Sequence, residues 1–327
     1  MSGLTPLDTC IEQALHGTHP VPAETLALQE AMGHVLADDL VLPHDLPRRH
    51  EALCAGFAVN ALDLMGASAA LPFPLPGARQ LLPGMPLPPG TDAVLPRDCT
   101  RIINEQAEAI QAPNPGEGIR RTGHDGRKGE VIARAGQQVG ARLRMVAMLA
   151  GISHLPVRPP RVQIASDAPL AGFVTGWAQS LGALITTEAP HLIIRPARTD
   201  QARLALAPGD TGWLARDGGT LVLDLPPRFD GALAALLALG LPTLAALSGT
   251  TPKATSRPVA RKIASAIGLS ELVLLSRAGA SWQPGPAGTV TLTALARAEA
   301  FALIPPGSEG IAAETGLTGT HLENPLG

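Results

Sequence analysis

"PPRVQIASDAPLAGFVTGWAQSLGALITTEAPHLIIRP", residues 159–196, decides the fold. "PPRVQIASDAPL" opens on prolines and runs into a short apolar strand. "GFVTGWAQSLGAL" has helical length and pattern, and "HLIIRP" is a second apolar strand stopped by proline. "GTLVLDLPP" (219–227) adds another strand, and "GALAALLALGLPTLAALSG" (231–249) a long apolar helix. Strands alternating with helices predict a parallel sheet with helices on both faces. The 231–249 run approaches membrane-spanning length. Gly240 and Pro242 interrupt it, and Asp230 and Lys253 flank it, so the expected state is a buried helix and not a membrane segment.

Outward from this block the texture changes. "TPLDTCIEQALH" (5–16) reads as a helix, and a second helix is expected over about Glu24 to Met32, capped by Gly33. "HVLADDLVLP" (34–43) is extended, with Asp38–Asp39 as a solvated strand end. Residues 44–133 carry short apolar runs between Pro and Gly turn signals, the pattern of a small β domain. "ARLRMVAMLAGIS" (141–153) is helical. Past the polar, Pro-bearing "TTPKATSRPVARK" (250–262), the tail again shows short strands. The expected division is an N-terminal helical and linker domain (1–44 and 134–158), a small β domain (45–133), an α/β domain (159–251) and a C-terminal β domain (252–327).

The chain has 327 residues, enough for several cores. A net charge of −3 supplies no basic field for nucleic acid, and 2% aromatic residues leave little for base stacking. The three cysteines, Cys10, Cys54 and Cys99, form no C-x-x-C pair, so neither a cysteine zinc site nor a disulfide framework is expected, and reduced cytoplasm fits. The start lacks the basic and apolar pattern of a signal peptide. His16, His19, His34 and His44 show no metal-ligand spacing, and Cys54 and Trp177 read as packing residues.

The order of the pieces carries more than any one of them. "ALQEAMGHVLADDLVLPHDLP" (27–47) precedes "AGFAV" (55–59), "LPGMPLPPGTDAVLPRD" (82–98) and "GIRRTGHDGRKGEVIARAG" (118–136). "VAMLAGISHLPVRPPRVQIASD" (146–167), "APGDT" (207–211) and "LDLPPRFDGALAALLALGLPTLAALSG" (223–249) follow. This series resembles the molybdopterin molybdotransferase family, of the MoeA and gephyrin E-domain type. The resemblance implies a four-domain α/β multidomain chain with a MogA-like three-layer α/β domain, small β domains and an N-terminal helical/linker domain, forming elongated dimers. It implies an α/β domain that binds adenylylated molybdopterin, hydrolyses the adenylate and inserts molybdate with Mg2+ assisting. It also implies a site built from the α/β domain of one subunit and the small β domain of the other.

"GIRRTGHDG" matches the family's N-I-R-x-x-G-E-D loop. Asp125 falls on the acidic catalytic and metal position, Arg120 and Gly123 on the motif's arginine and glycine, and His124 replaces its glutamate. A glycine-flanked loop with arginine and carboxylate could hold an oxyanion and a cation together, or be a solvated hairpin. Elsewhere the matching positions are substituted. In "RRHEALCAGFAV" (48–59) His50 stands for the first acid, Ala52 for the serine and Ala55 for the second acid. "ASDAPL" retains Asp167 as a metal candidate. Arg195–Pro196 replaces a glycine pair, Ala207 and Asp210 replace two lysines, and Pro227 replaces a glycine. Proline has no N–H to offer a phosphate.

The sequence therefore predicts a retained fold with a dismantled adenylate site, Mg2+ and molybdate use inherited or lost, and weak or no activity. Arg195 and Arg228 stand at the carboxyl edge of the sheet, either as a rebuilt anion site or as solvated loop residues. The alternative function is a non-catalytic molybdopterin-binding or scaffold protein. It would work as a homodimer, or paired with a catalytic relative or an apo-molybdoenzyme.

Overall fold

The structure, a computed structural model, describes residues 3–104, 106–165, 170–198 and 202–326. Its contacts divide the chain into two compact units, Leu40–Ile132 and the remainder, Met1–Asp39 with Ala133–Gly327.

The larger unit opens with helix α1 (Leu7–Leu15), which buries Leu7, Cys10 and Ala14 on one side. After it the chain departs from the sequence expectation. Glu24–Ala27 is a strand, not the start of a helix. It pairs antiparallel with His154–Arg158, which also pairs with Val35–Leu36. Residues 24–32 hold helix formers, yet a ladder to a segment far along the chain outweighs that local preference. Asp39 is likewise engaged, not simply solvated. Its carboxylate accepts from Ala135 N at 2.9 Å and from Arg134 Nη1 at 2.6 Å, and these bonds hold its pKa below the ordinary value. Helix α2 (Ala141–Leu149) leads back to the His154–Arg158 strand.

The α/β layer follows. Its strands are β1 (Arg161–Ile164), β2 (Leu184–Ile185), β3 (Leu192–Pro196), β4 (Trp213–Asp217) and β5 (Thr220–Leu225), in the order β2-β1-β3-β5-β4. All are parallel except β4, which runs antiparallel at one edge. Helix α3 (Ala171–Ser180) connects β1 to β2 and buries Val174 and Ala178. Helix α4 spans Phe229–Ser248, and 89% of its apolar window is buried, which is the state expected from its interruptions. A π-helical turn at Leu236–Gly240 lies just before Pro242. Proline cannot donate the regular helical bond and its ring crowds the preceding turn, which a locally widened helix accommodates. At Gly240 a Cβ would lie 2.8 Å from Trp177, so glycine is what lets α4 approach the α3 indole. One apolar core runs through β1, β3 and β5 (Val162, Ile194, Leu223) and both helices (Val174, Leu236).

The C-terminal strands form a six-stranded sheet around Ser270–Ala278 and Ala300–Ile304, with its own core of Val273, Leu275, Trp282 and Ala300. Leu206–Ala207 joins this sheet in parallel with Ser270–Glu271.

His34 sits where the N-terminal segment meets the turn after α3. It is buried, and its Nδ1 lies 2.7 Å from the Gly182 carbonyl, so Nδ1 carries the proton that it donates. Gln138 Nε2 donates to the carbonyls of both Gly33 and Ser180, tying the same junction. Burial pushes the His34 pKa below the ordinary value and outweighs the opposing pull of the Gly182 carbonyl and Glu24. The unfolded chain then takes up a proton at about pH 6.5 while the folded chain resists it. The stability contributed is fully present above that pH and declines as pH falls below it. His191 shifts in the same direction, through burial and then Arg161. Urea unfolding between pH 7.5 and 5.5 should show a decline steeper by up to about 1.4 kcal/mol per pH unit than in His34→Gln, which keeps a donor for Gly182. Parallel pH profiles for the two proteins would contradict this assignment.

The smaller unit is mostly strand and turn, with short 3-10 helices at Ala61–Leu64 and Arg97–Cys99. Gly56–Val59 is the centre of a three-stranded antiparallel sheet between Gln80–Leu81 and Ala93–Pro96. A second sheet pairs Gln106–Gln111 with Ser68–Pro74 and Thr100–Ile103. Alternation along the central strands puts Val59, Ala93 and Leu95 in one small core and Ala58, Val94 and Leu81 in another. A Cβ at Gly56 would run into the Leu95 carbonyl, so packing alone requires this glycine of the "AGFAV" stretch.

Candidate functional site

In the smaller unit, Ile119–Arg120 pairs antiparallel with Glu51–Ala52, which sets the following loop beside residues 45–50. The loop is then laced down. Thr122 N donates to His50 Nδ1 at 2.9 Å, Asp125 N to Leu46 O at 2.8 Å, and Lys128 N to Asp45 Oδ1 at 2.8 Å. Gly123 has φ +74°, a left-handed conformation that glycine adopts without strain, and its N–H donates to Pro47 O at 3.1 Å.

Arg120, Gly123, His124 and Asp125 are thus brought together as their spacing suggested. Their charges close on one another. Asp125 Oδ1 accepts from Arg120 Nε at 3.0 Å and Nη2 at 2.5 Å, and lies 3.1 Å from His124 Nδ1. Partial burial alone would raise the Asp125 pKa. The bonds from His124 and Arg120 outweigh it, and the net value lies below the ordinary one. A divalent cation such as Mg2+ takes several oxygen ligands. Here one carboxylate is already committed to a guanidinium, and His50, on the first acid position, spends Nδ1 on Thr122. Among the described residues no group of three His, Cys, Asp or Glu side chains is placed to hold a metal. The described residues around Asp125 therefore do not fit a resident Mg2+. Asp167, the other metal candidate, lies outside the described residues.

In the larger unit the candidate arginines sit at the carboxyl edge of the parallel sheet. Register places Arg195 of β3 directly across from Asp224 of β5. Arg195 Nε donates to Asp224 Oδ1 at 2.7 Å, and Asp224 is 5% exposed. Arg228 stands just before α4 and reaches forward to Asp230, with Nη2 to Oδ2 at 2.9 Å and Nε to Oδ1 at 3.2 Å. Asp230 also accepts from Gly231 N at 2.9 Å. Its pKa is lowered because these bonds outweigh burial. Asp210, on a position where a lysine was expected from the resemblance, pairs with Arg203.

A cavity of about 290 Å³ lies between the ends of β1, β3 and β5 and the start of α3. Its described lining is Ile164, Leu170, Ala171, Val174, Ile194, Arg195, Pro196, Leu225, Pro226 and Pro227. Three of these are prolines, each without an N–H. The described sheet edge thus offers an apolar hollow and a neutralised guanidinium, with three positions that lack an N–H. Sequence reasoning picked out Arg195 and Arg228 but missed Asp224 and Asp230 as their partners, and missed His50 as the acceptor for Thr122. The available signals were an aspartate inside the apolar run "LVLDL" and the R-x-D spacing of 228 and 230.

The MoeA N-terminal region (domain I and II) matches residues 5–152. "Molybdopterin molybdenumtransferase 2" of Mycobacterium tuberculosis is 31% identical over 153 residues, 41% of this chain and 38% of its own length. "Molybdopterin molybdenumtransferase" of Synechococcus elongatus is 29% identical over 202 residues, 53% of this chain and 48% of its own. The chain therefore spans less than half the length of these curated relatives. The crystal structure of the molybdopterin biosynthesis moeA protein of Pyrococcus horikoshii OT3 shares the fold with a TM-score of 0.72 at 19% identity, over 97% of this chain and 100% of that one. Residues 5–152 are thus similar to the N-terminal region of MoeA proteins, and the chain shares its fold with a solved moeA protein.

Proposed function

We propose that the chain works in molybdenum-cofactor biosynthesis, in the cytoplasm, as a divergent molybdotransferase-family protein whose adenylate hydrolysis and molybdate insertion are weak or lost. One observation carries the reading: each arginine offered for the anionic substrate, Arg120, Arg195 and Arg228, is closed onto an aspartate of this chain. Adenylylated molybdopterin is rich in phosphate, and molybdate is an anion. Holding and splitting a phosphate anhydride takes uncompensated cations, N–H donors or metal. The described residues supply these poorly, and Ala55 carries no oxygen where the family has an acid.

The test is AMP release from adenylylated molybdopterin with Mg2+ and molybdate, beside a catalytic relative. Release at the rate without protein is expected. Release near the relative's rate, lost in Asp125→Ala, would overturn the proposal. That substitution should leave stability within about 1 kcal/mol of the parent by chemical denaturation, because the Arg120–Asp125 pair is partly solvent-exposed. A loss above about 2 kcal/mol would show that Asp125 braces the loop more than its geometry indicates.

A second reading, a binding or scaffold protein, is favoured by α2. Met145, Met148 and Leu149 are exposed at helical spacing and form an apolar stripe on that helix. In this reading the stripe packs on a second copy of the chain or on a catalytic relative. Light scattering of the wild type and of Met148→Glu checks it. A wild-type dimer made monomeric by the substitution supports the reading, and a monomeric wild type removes self-association.

A further inference from the structure

We propose that the sheet-edge cavity binds a small, uncharged, largely apolar molecule of one or two rings, carrying at most one acceptor for the Arg195 guanidinium. The inference rests on the reading that the adenylate site is dismantled, and it names what the same place now accepts.

Four observations lead there. The described walls are largely aliphatic: Ile164 and Ile194 from the sheet, Leu170 just before α3 and Val174 within it, and Leu225 from the end of β5. Burying apolar ligand surface against such walls gains roughly 25 cal/mol per Å². The charged residue among the described lining is Arg195, and Asp224 neutralises it from the facing strand at 2.7 Å. A phosphate or carboxylate entering would meet no net positive charge from the described lining and would approach a buried carboxylate, and an uncompensated anion there is costly. Pro196, Pro226 and Pro227 remove backbone donors from their part of the described rim. Finally, about 290 Å³ is at the small end of ligand sites, which run from about 300 to 1,000 Å³. That suits a single or fused ring better than a nucleotide joined to a pterin.

The experiment uses the full chain and two probes, indole as the neutral apolar one and AMP as the anionic one, titrated by calorimetry into the wild type and into Ala171→Leu. Leucine is a good helix former at the start of α3 and fills the cavity from its wall. Indole should bind one to one, at least tenfold more weakly to Ala171→Leu at unchanged far-UV circular dichroism, while AMP gives no heat above dilution. Methyl NMR of the wild type is the second readout, independent of the variant's folding. Indole-induced shifts should centre on Ile164, Val174, Ile194 and Leu225. No indole binding, equal binding to both proteins, or shifts elsewhere would overturn this inference and leave the loss of catalysis standing. AMP binding that Ala171→Leu abolishes would overturn both.

Discussion

Replacing Leu223 with alanine should cost about 2 to 5 kcal/mol of stability, the range for leucine-to-alanine changes in packed cores. Leu223 is fully buried on β5, hydrogen-bonded between β3 and β4. Its side chain packs beneath Gly240, where a Cβ would come within 3.3 Å of Leu223 Cδ2. The π turn and Pro242 restrict how far α4 can settle into the vacated space, which argues for the upper part of the range. Domains of this kind have about 5 to 15 kcal/mol in total. Urea unfolding of the wild type and the variant measures the difference. A loss below about 1 kcal/mol would mean that the helix and sheet are not packed as described.

Gly182→Ala should cost about 3 kcal/mol. Gly182 has φ +77°, and an alanine Cβ there would overlap the Gly33 carbonyl oxygen and lie 2.8 Å from His34 Cα. Left-handed backbone alone costs a non-glycine residue roughly 1 to 2 kcal/mol. Forcing the turn away from His34 also leaves the buried imidazole N–H without its acceptor, worth about 1 to 3 kcal/mol. Gly129→Ala is the control, since Gly129 has φ +84° and nothing within 4 Å of the added carbon. It should show the conformational strain and no more. Equal losses in the two variants would remove the steric contact from the account.

The α/β layer was legible because its strands are short apolar runs between prolines and glycines, and its long helix carries its own breakers. Glu24–Ala27 was not legible. Nothing in "ETLA" announces a strand, and the partner that makes it one is His154–Arg158. The site divides in the same way. "GIRRTGHDG" revealed Arg120, Gly123 and Asp125 because their spacing is local. The neutralising partners of the sheet-edge arginines depend on strand register, and Asp224 faces Arg195 only once β3 and β5 lie side by side. His50 is a similar case: its position looked like a lost acid, and its work, accepting from Thr122, requires the Glu51–Ala52 pairing to bring the loop over it. The substitutions were therefore readable in the sequence, while what the new residues do needed the fold.

The most direct test of the dismantled site is a calorimetric titration of the full chain with adenylylated molybdopterin, with and without Mg2+ and molybdate. The charge-balanced arginines predict no binding tighter than about millimolar and no change on adding either ion. Micromolar binding strengthened by Mg2+, with AMP released when molybdate is added, would contradict the account and show that the site has been rebuilt.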